Sequence, residues 1–182
     1  MSEEHEVQRR KIQRLHTLGP RGTNCERAAR VWLQRHHLND DVSLAPTIPE
    51  ALAEMPRGGD DALLCCAAYP DFHHLTFLHH EWLEIVDSFV IDTDHMVLAA
   101  RNLVTLKSVA SHPAPVDLIP GNPLIIDANS NAHAAELCSS GAADGAITTL
   151  LAARRCELQV VRDFGPVPMA FTIHAPRADD AN

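Results

Sequence analysis

The chain has 182 residues, the size of one compact α/β unit or of two small lobes sharing a hinge. Apolar residues make up 46% and aromatics 4%, which excludes general disorder and calls for a core of Ala, Leu, Val and Ile. A formal charge of −9 with no basic block excludes a nucleic-acid footprint but leaves room for a small anion in a locally positive pocket.

The first twelve residues, inside "MSEEHEVQRRKIQRL", read as a charged lead-in without the apolar run of a signal peptide. "RLHTLGP" then reads as a short strand ending in a turn, with Thr23 or Asn24 capping an Ala-rich helix through Ala28, Ala29, Val31, Trp32 and Leu33. "VSLAP" is a strand, followed by a helix in "TIPEALAEM" with Thr47 as cap and Pro49 in its first turn. "DALLCCAA" is a buried strand. "EWLEIVDSFVID" and "HMVLAAR" are β-rich runs on either side of Asp92–Asp94. "SVASHPAPVDLI" reads as a strand, a turn and a helix start, and "PLIIDANS" as a strand entering a polar turn. "NAHAAELCSSGAADG" is a helix ended by Gly, "AITTLLAARR" leads into another, and "LQVVRDFGPVPMAFTIH" holds the last two strands.

This order predicts α/β lobes with mostly parallel sheets and a cleft between them. Lobe one takes 13–92 plus 163–175, lobe two takes 93–162, and 176–182 is a polar tail. Ligands in such sheets gather where strand C-termini meet helix N-termini. Three polar turns fit that place: Gly19–Asn24, Ser111–Pro113 and Asn129–Asn131. Glycines in the first let a backbone approach an anion, although the turn lacks the GK[ST] of a nucleotide loop and the third glycine of a dinucleotide fingerprint. Each turn alone reads equally as a cap, while three together suit carboxylates. Arg101, closing "HMVLAAR", is placed to pair with one.

The His73-His74 and His79-His80 pairs show no HExxH and no cysteine at zinc spacing, so no metal is expected. Five cysteines, an odd number without CxxC, suit reduced thiols in the cytoplasm. No window reaches the length of a membrane helix.

"LGPRGTNCERAA" resembles the N-terminal pattern of the prephenate dehydratases. The likeness continues through "SHP" at 111–113, "ANSNAHAAEL" at 128–137 and "GAADGAITTLLAARRCELQVV" at 141–161. Three departures stand out. The dehydratase Thr-Arg-Phe gives way to "VPMAF", "LLCCAAYPDFHHL" stands where that family has VPxENS, and no ACT domain follows. With "SHPAPVDLIP", these resemble the prephenate decarboxylases of bacilysin-type pathways.

The resemblance implies two periplasmic-binding-protein-like lobes, a cytoplasmic homodimer and no cofactor. It also implies a carboxy-lyase of antibiotic biosynthesis that converts prephenate, without aromatisation, to a dihydro-4-hydroxyphenylpyruvate. Arg21, Gly22, Thr23 and Asn24 are then expected to bind one carboxylate, and Arg101, Ser111 and His112 the other anionic or keto end. Asn129, Ser130 and Asn131 would orient ring and hydroxyl, and Met169 would supply an apolar wall. Ser111 and His112 are the expected catalytic pair. The alternatives are a dehydratase using Thr172 or His174 as acid, and a non-catalytic dicarboxylate-binding sensor.

Overall fold

A computed structural model describes residues 12–102 and 105–177; most of the lead-in, and the tail from 178, lie outside the described residues. The turn at Gly19–Thr23 ends a strand and opens a helix. β1 (Arg14–Leu18) buries Leu15 and Thr17, and α1 (Asn24–Arg35) follows with Thr23 as its cap. One face of α1, carrying Ala28, Ala29, Trp32 and Leu33, packs on Leu15, Leu64, Phe171 and Ile173. β2 (Val42–Ala45) leads to α2 (Ile48–Glu54), where the Thr47 hydroxyl accepts the Glu50 N–H and proline sits in the first turn. β3 (Asp61–Cys66) completes the first βαβαβ run.

α3 (Phe72–Leu78) was not expected, because its "FHHLTFL" buries Leu75 alone and so shows no apolar period. β4 (Leu83–Asp92) and β5 (Met96–Ala100) flank the predicted break. β6 (Ser108–Ser111) is followed by one 3-10 turn at Val116–Leu118, not by an α-helix. Pro113, Pro115 and Pro120 withhold backbone donors around that turn. β7 (Leu124–Asp127), α4 (Asn131–Ser140), β8 (Gly145–Thr149) and α5 (Leu150–Arg155) follow. β9 (Gln159–Gly165) and β10 (Pro168–Pro176) end the described chain. α4 stops where Gly141 takes φ 89°, a conformation costly for residues with a Cβ.

Two five-stranded sheets result, ordered β2-β1-β3-β10-β4 and β7-β6-β8-β5-β9. Each is mixed, which refines the mostly parallel expectation. β1 pairs in parallel with β2 and β3 while β10 runs antiparallel to β3 and β4; β6 pairs in parallel with β7 and β8 while β5 runs antiparallel to β8 and β9. The chain crosses between the sheets twice, from β4 to β5 and from β9 back to β10. The crossings are bonded to each other: Thr93 N–H donates to Val167 O at 2.9 Å, and Val167 N–H donates to Thr93 Oγ1 at 3.0 Å. The second sheet packs on small residues, among them Ala99, Ala110, Ala134, Ala135 and Ala146. Among the described residues no helix is long and apolar enough to cross a membrane.

β10 buries residues on both faces. Phe171 and Ile173 meet α1, whereas Thr172 and His174 turn to the opposite face. There the Thr172 hydroxyl donates to Cys65 O at 3.2 Å, and its oxygen takes the His174 Nε2 hydrogen at 2.8 Å. Burial depresses the His174 pKa to about 4. The unfolded chain takes up this proton near pH 6.5, so between these values the unfolded state holds more protons and acid destabilises the native state. Urea denaturation is therefore expected to show stability falling by up to about 3 kcal/mol between pH 7 and pH 4 from this group. His174→Gln should flatten the slope; an unchanged slope would remove His174 as its source.

Candidate active site between the two sheets

The strand C-termini of both sheets open onto one cavity of about 270 Å³. The α1 end contributes Leu18, Thr23, Asn24 and Cys25, and the segment after β3 contributes Cys66 and Tyr69. Facing them, the segment after β6 supplies His112 and Asp117, and the start of α4 supplies Ser130 and Asn131. Thr93 and Met96 from one crossing, with Val167, Met169 and Phe171 from the other, close the hinge side.

No Arg or Lys lines this cavity among the described residues; the fixed partial positive charges it can offer an anion are those of backbone amides. The Thr23 hydroxyl is committed, donating to Leu18 O at 3.0 Å and accepting the Glu26 N–H at 3.2 Å. That leaves the first amides of α1, at Asn24 and Cys25, without intrahelical acceptors, as in any first turn. Opposite, Ser130 Oγ accepts the His133 N–H at 3.1 Å, leaving the Asn131 and Ala132 amides in the same condition. Each helix end behaves as about half a positive charge. An anion with two carboxylates can therefore be held between two helix N-termini.

The imidazole of His112, the phenol of Tyr69 and the thiols of Cys25, Cys65 and Cys66 are all pushed toward their neutral forms. His112 Nδ1 accepts the Ala114 N–H at 3.2 Å, so Nε2 keeps the ring hydrogen as a donor. Burial holds the His112 pKa below the ordinary imidazole value. Tyr69 is shifted up, first by burial and then by the Asp71 carboxylate and Cys65, so its phenol stays protonated. Burial pushes Cys25 up to about 12 and also raises Cys65 and Cys66, which keeps these thiols out of nucleophilic chemistry at neutral pH. Asn131 Oδ1 is buried with no hydrogen-bond donor among the described residues. An acceptor left so costs about 1–3 kcal/mol.

Of the residues expected from sequence, Thr23, Asn24, His112, Ser130, Asn131 and Met169 meet at the cavity. The others do not. Arg101 lies one residue past β5, beside Cys138 and Gly141 at the far end of α4. A ten-residue helix is about 15 Å long, so a whole helix separates Arg101 from the Ser130 end. β5 enters its sheet from the cavity side, which puts its last residue at the opposite edge. Arg21 is exposed and its carbonyl takes a hydrogen bond from Arg155 at 2.7 Å. Gly22 uses its N–H on Glu26 Oε2, and at φ 90° a Cβ there would collide with the Arg155 guanidinium. The buried Ser111 hydroxyl donates to His112 O at 2.8 Å, so Ser111 braces the histidine from behind. Asn129 is exposed, its N–H engaged by His133 Nδ1. Neither Thr172 nor His174 reaches the cavity, since each occupies the other face of β10.

Tyr69, Asp117, Met96 and Thr93 were missed. Tyr69 was findable, because it closely follows the C-terminal end of β3, where ligands gather. The other three depend on the crossings and on an unexpected 3-10 turn. Among the described residues no group of three His, Cys, Asp or Glu side chains is placed to hold a metal ion.

No family model matches the chain. A prephenate decarboxylase of Bacillus amyloliquefaciens is 28% identical over 178 residues, covering 90% of this chain and 86% of the relative. The crystal structure of a prephenate dehydratase from Arthrobacter aurescens superposes with a TM-score of 0.67 at 20% identity over 91% of this chain. The chain has the prephenate dehydratase fold. It spans 61% of the length of that dehydratase chain. The periplasmic VFT2 domain of Bordetella pertussis BvgS, TM-score 0.57 at 13% identity, covers 92% of this chain and 82% of its own, and shares the two-lobed architecture.

With Arg101 outside the cavity, Arg101→Ala is expected to leave the KM for prephenate, the substrate the resemblance implies, within about twofold. A KM rise of tenfold or more in steady-state kinetics would return Arg101 to the site.

Proposed function

We propose that the chain is a carboxy-lyase that removes carbon dioxide from prephenate without aromatising it, giving a dihydro-4-hydroxyphenylpyruvate. The observation that carries this reading is Met169. Aligned on Phe171, "Met169-Ala170-Phe171" falls where dehydratases resembling this chain carry Thr-Arg-Phe, and Met169 lines the cavity. A thioether offers no proton to a departing hydroxyl, so the acid that drives aromatisation is missing at that position. The two alternative acids, Thr172 and His174, are bonded to each other on the other face of the sheet. A 28% identical decarboxylase aligned over 90% of the chain supports the same reading.

We assign the roles as follows. One carboxylate sits on the α1 amides beside Thr23 and Asn24, and the other lies toward the α4 amides beside Ser130 and Asn131. Breaking the bond from the ring to its carboxylate releases carbon dioxide and leaves an electron pair in the ring diene. A proton arriving at a ring carbon then traps that pair. Neutral His112, with Nε2–H as donor, is our choice for this proton, regained from water. Ser111 and the Ala114 N–H position it. Orientation between two helix ends can supply several kcal/mol of the barrier.

We place the enzyme in the cytoplasm as a homodimer serving antibiotic-type secondary metabolism, with the two sheets as lobes closing about 93–95 and 166–167. Its partner is the small dicarboxylate, not nucleic acid.

Incubation with prephenate at neutral pH, followed by mass analysis, is expected to give a product that has lost carbon dioxide and kept its hydroxyl. Phenylpyruvate as the main product would indicate a dehydratase. Binding without consumption would indicate a sensor. His112→Gln should lower kcat by about 10²–10⁴. Exhaustive chelation should leave turnover unchanged; a chelator-sensitive loss would put a metal into the reaction.

A further inference from the structure

Three consecutive residues after the glycine turn, Thr23, Asn24 and Cys25, line the cavity, so the turn sets where they stand. The peptide between Arg21 and Gly22 is held at both of its polar ends. Its N–H donates to Glu26 Oε2, an acid of lobe one that is buried and itself fixed by Arg30 Nη2 at 3.0 Å. Its carbonyl accepts Arg155 Nη1 at 2.7 Å from α5, a helix whose Ala152 and Ala153 pack on the second sheet. Leu151 and Arg155 stand four residues apart, on one face of α5. That face lies over Gly22, where a Cβ would run into the Arg155 guanidinium and touch Leu151 Cδ2 at 3.5 Å. The start of α5 is tied to the same turn through Asp94, whose carboxylate accepts the Leu151 N–H at 2.8 Å while its own N–H donates to Asn24 Oδ1 at 2.9 Å. Gly22, at φ 90°, is the joint. Glycine accepts this conformation without strain, and for the same reason it lets the preceding peptide rotate unless a partner holds it.

We infer that Arg155 is a positioning residue: from lobe two it fixes the Arg21–Gly22 peptide and so sets Thr23, Asn24 and Cys25 for the substrate. The identity of that substrate rests on the decarboxylase reading. A guanidinium bond to a carbonyl is charge-assisted and directional, which suits it to hold one peptide in one orientation. The bond is exposed, so it adds little to overall stability, and losing it loosens the turn without unfolding the chain. Because it spans the lobes, the turn is set while they stand together and released when they part. Arg155 is outside the cavity lining and acts through the turn, not on the reacting atoms. Substrate and transition state meet the same three lining residues, so a loosened turn weakens both alike. That raises KM and spares kcat.

The test compares wild type with Arg155→Ala and with Arg155→Lys, which keeps a charged donor on the same helix face. Arg154→Ala is the control, since Arg154 is exposed in the same last turn of α5. Folding is checked by circular dichroism. With prephenate at neutral pH, Arg155→Ala should raise KM at least tenfold and leave kcat within threefold. Arg155→Lys should bring KM back to within threefold of wild type, and Arg154→Ala should match wild type. A second readout needs no substrate: the Gly22 amide hydrogen, followed by NMR, should exchange at least fivefold faster in Arg155→Ala and at the wild-type rate in Arg154→Ala. A KM within twofold of wild type in Arg155→Ala, an equal rise in Arg154→Ala, or an unchanged Gly22 exchange rate overturns the proposal while leaving the decarboxylase standing. A wild-type protein that leaves prephenate untouched overturns the decarboxylase reading, and the exchange rate then decides the role of Arg155 by itself.

Discussion

The pairing of the two crossing segments governs everything else in this molecule. Thr93 and Val167 exchange hydrogen bonds at the point where the chain passes between sheets. That pairing turns the C-terminal ends of β1 and β3 toward those of β6 and β7. Asp94, in the same crossing, donates its N–H to the Asn24 side chain and accepts the Leu151 N–H with its carboxylate, so both lobes' helix starts are referenced to one residue. The Arg155 bond to the Arg21 carbonyl ties the end of α5 to the turn before α1. Without this frame the two helix ends would still form, but they would not face one another.

Among the described residues no Arg or Lys stands on the cavity wall, so the proposed dianion would be met by backbone amides. Helix-end amides act as fixed partial charges, and because they are already oriented, no long side chain must be ordered to use them. The same low-polarity wall shapes the remaining groups. Burial keeps His112 and Tyr69 neutral, which makes them hydrogen donors without adding charge. Met169 and Phe171 supply surface with no proton to give. On the proposed reading, what the cavity withholds from the substrate hydroxyl matters as much as what it offers the carboxylates.

Much of the fold was legible because its signals are local. Thr23 and Thr47 announce helices through short-range caps that the structure shows bonded as expected, and Ser130 caps α4 in the same way. The strands around Asp92–Asp94 were visible from their β-branched runs. α3 was not, since a seven-residue helix with one buried side chain leaves no period to read. The supposed helix after Ser111 failed because a proline-rich segment can supply only a single 3-10 turn. At the cavity each predicted turn is present only in part: Thr23, Asn24, His112, Ser130 and Asn131 line it, while Arg21, Gly22, Ser111 and Asn129 of the same turns do not. Arg101 was misplaced because a strand's last residue lies at the cavity only if the strand runs toward it, and β5 runs away. Direction within a mixed sheet is not written in the strand that has it.

The sequence by itself determined the caps, the glycine turn, the Ala-rich core and the apolar thioether at Met169, since each depends on neighbours within a few positions. Only the tertiary structure decided which ends of the strands meet, that Ser111 supports His112 from behind, and that Asn131 is left with an unanswered acceptor. Those facts arise from contacts between residues far apart in the chain, set by two crossings whose partners no local pattern specifies.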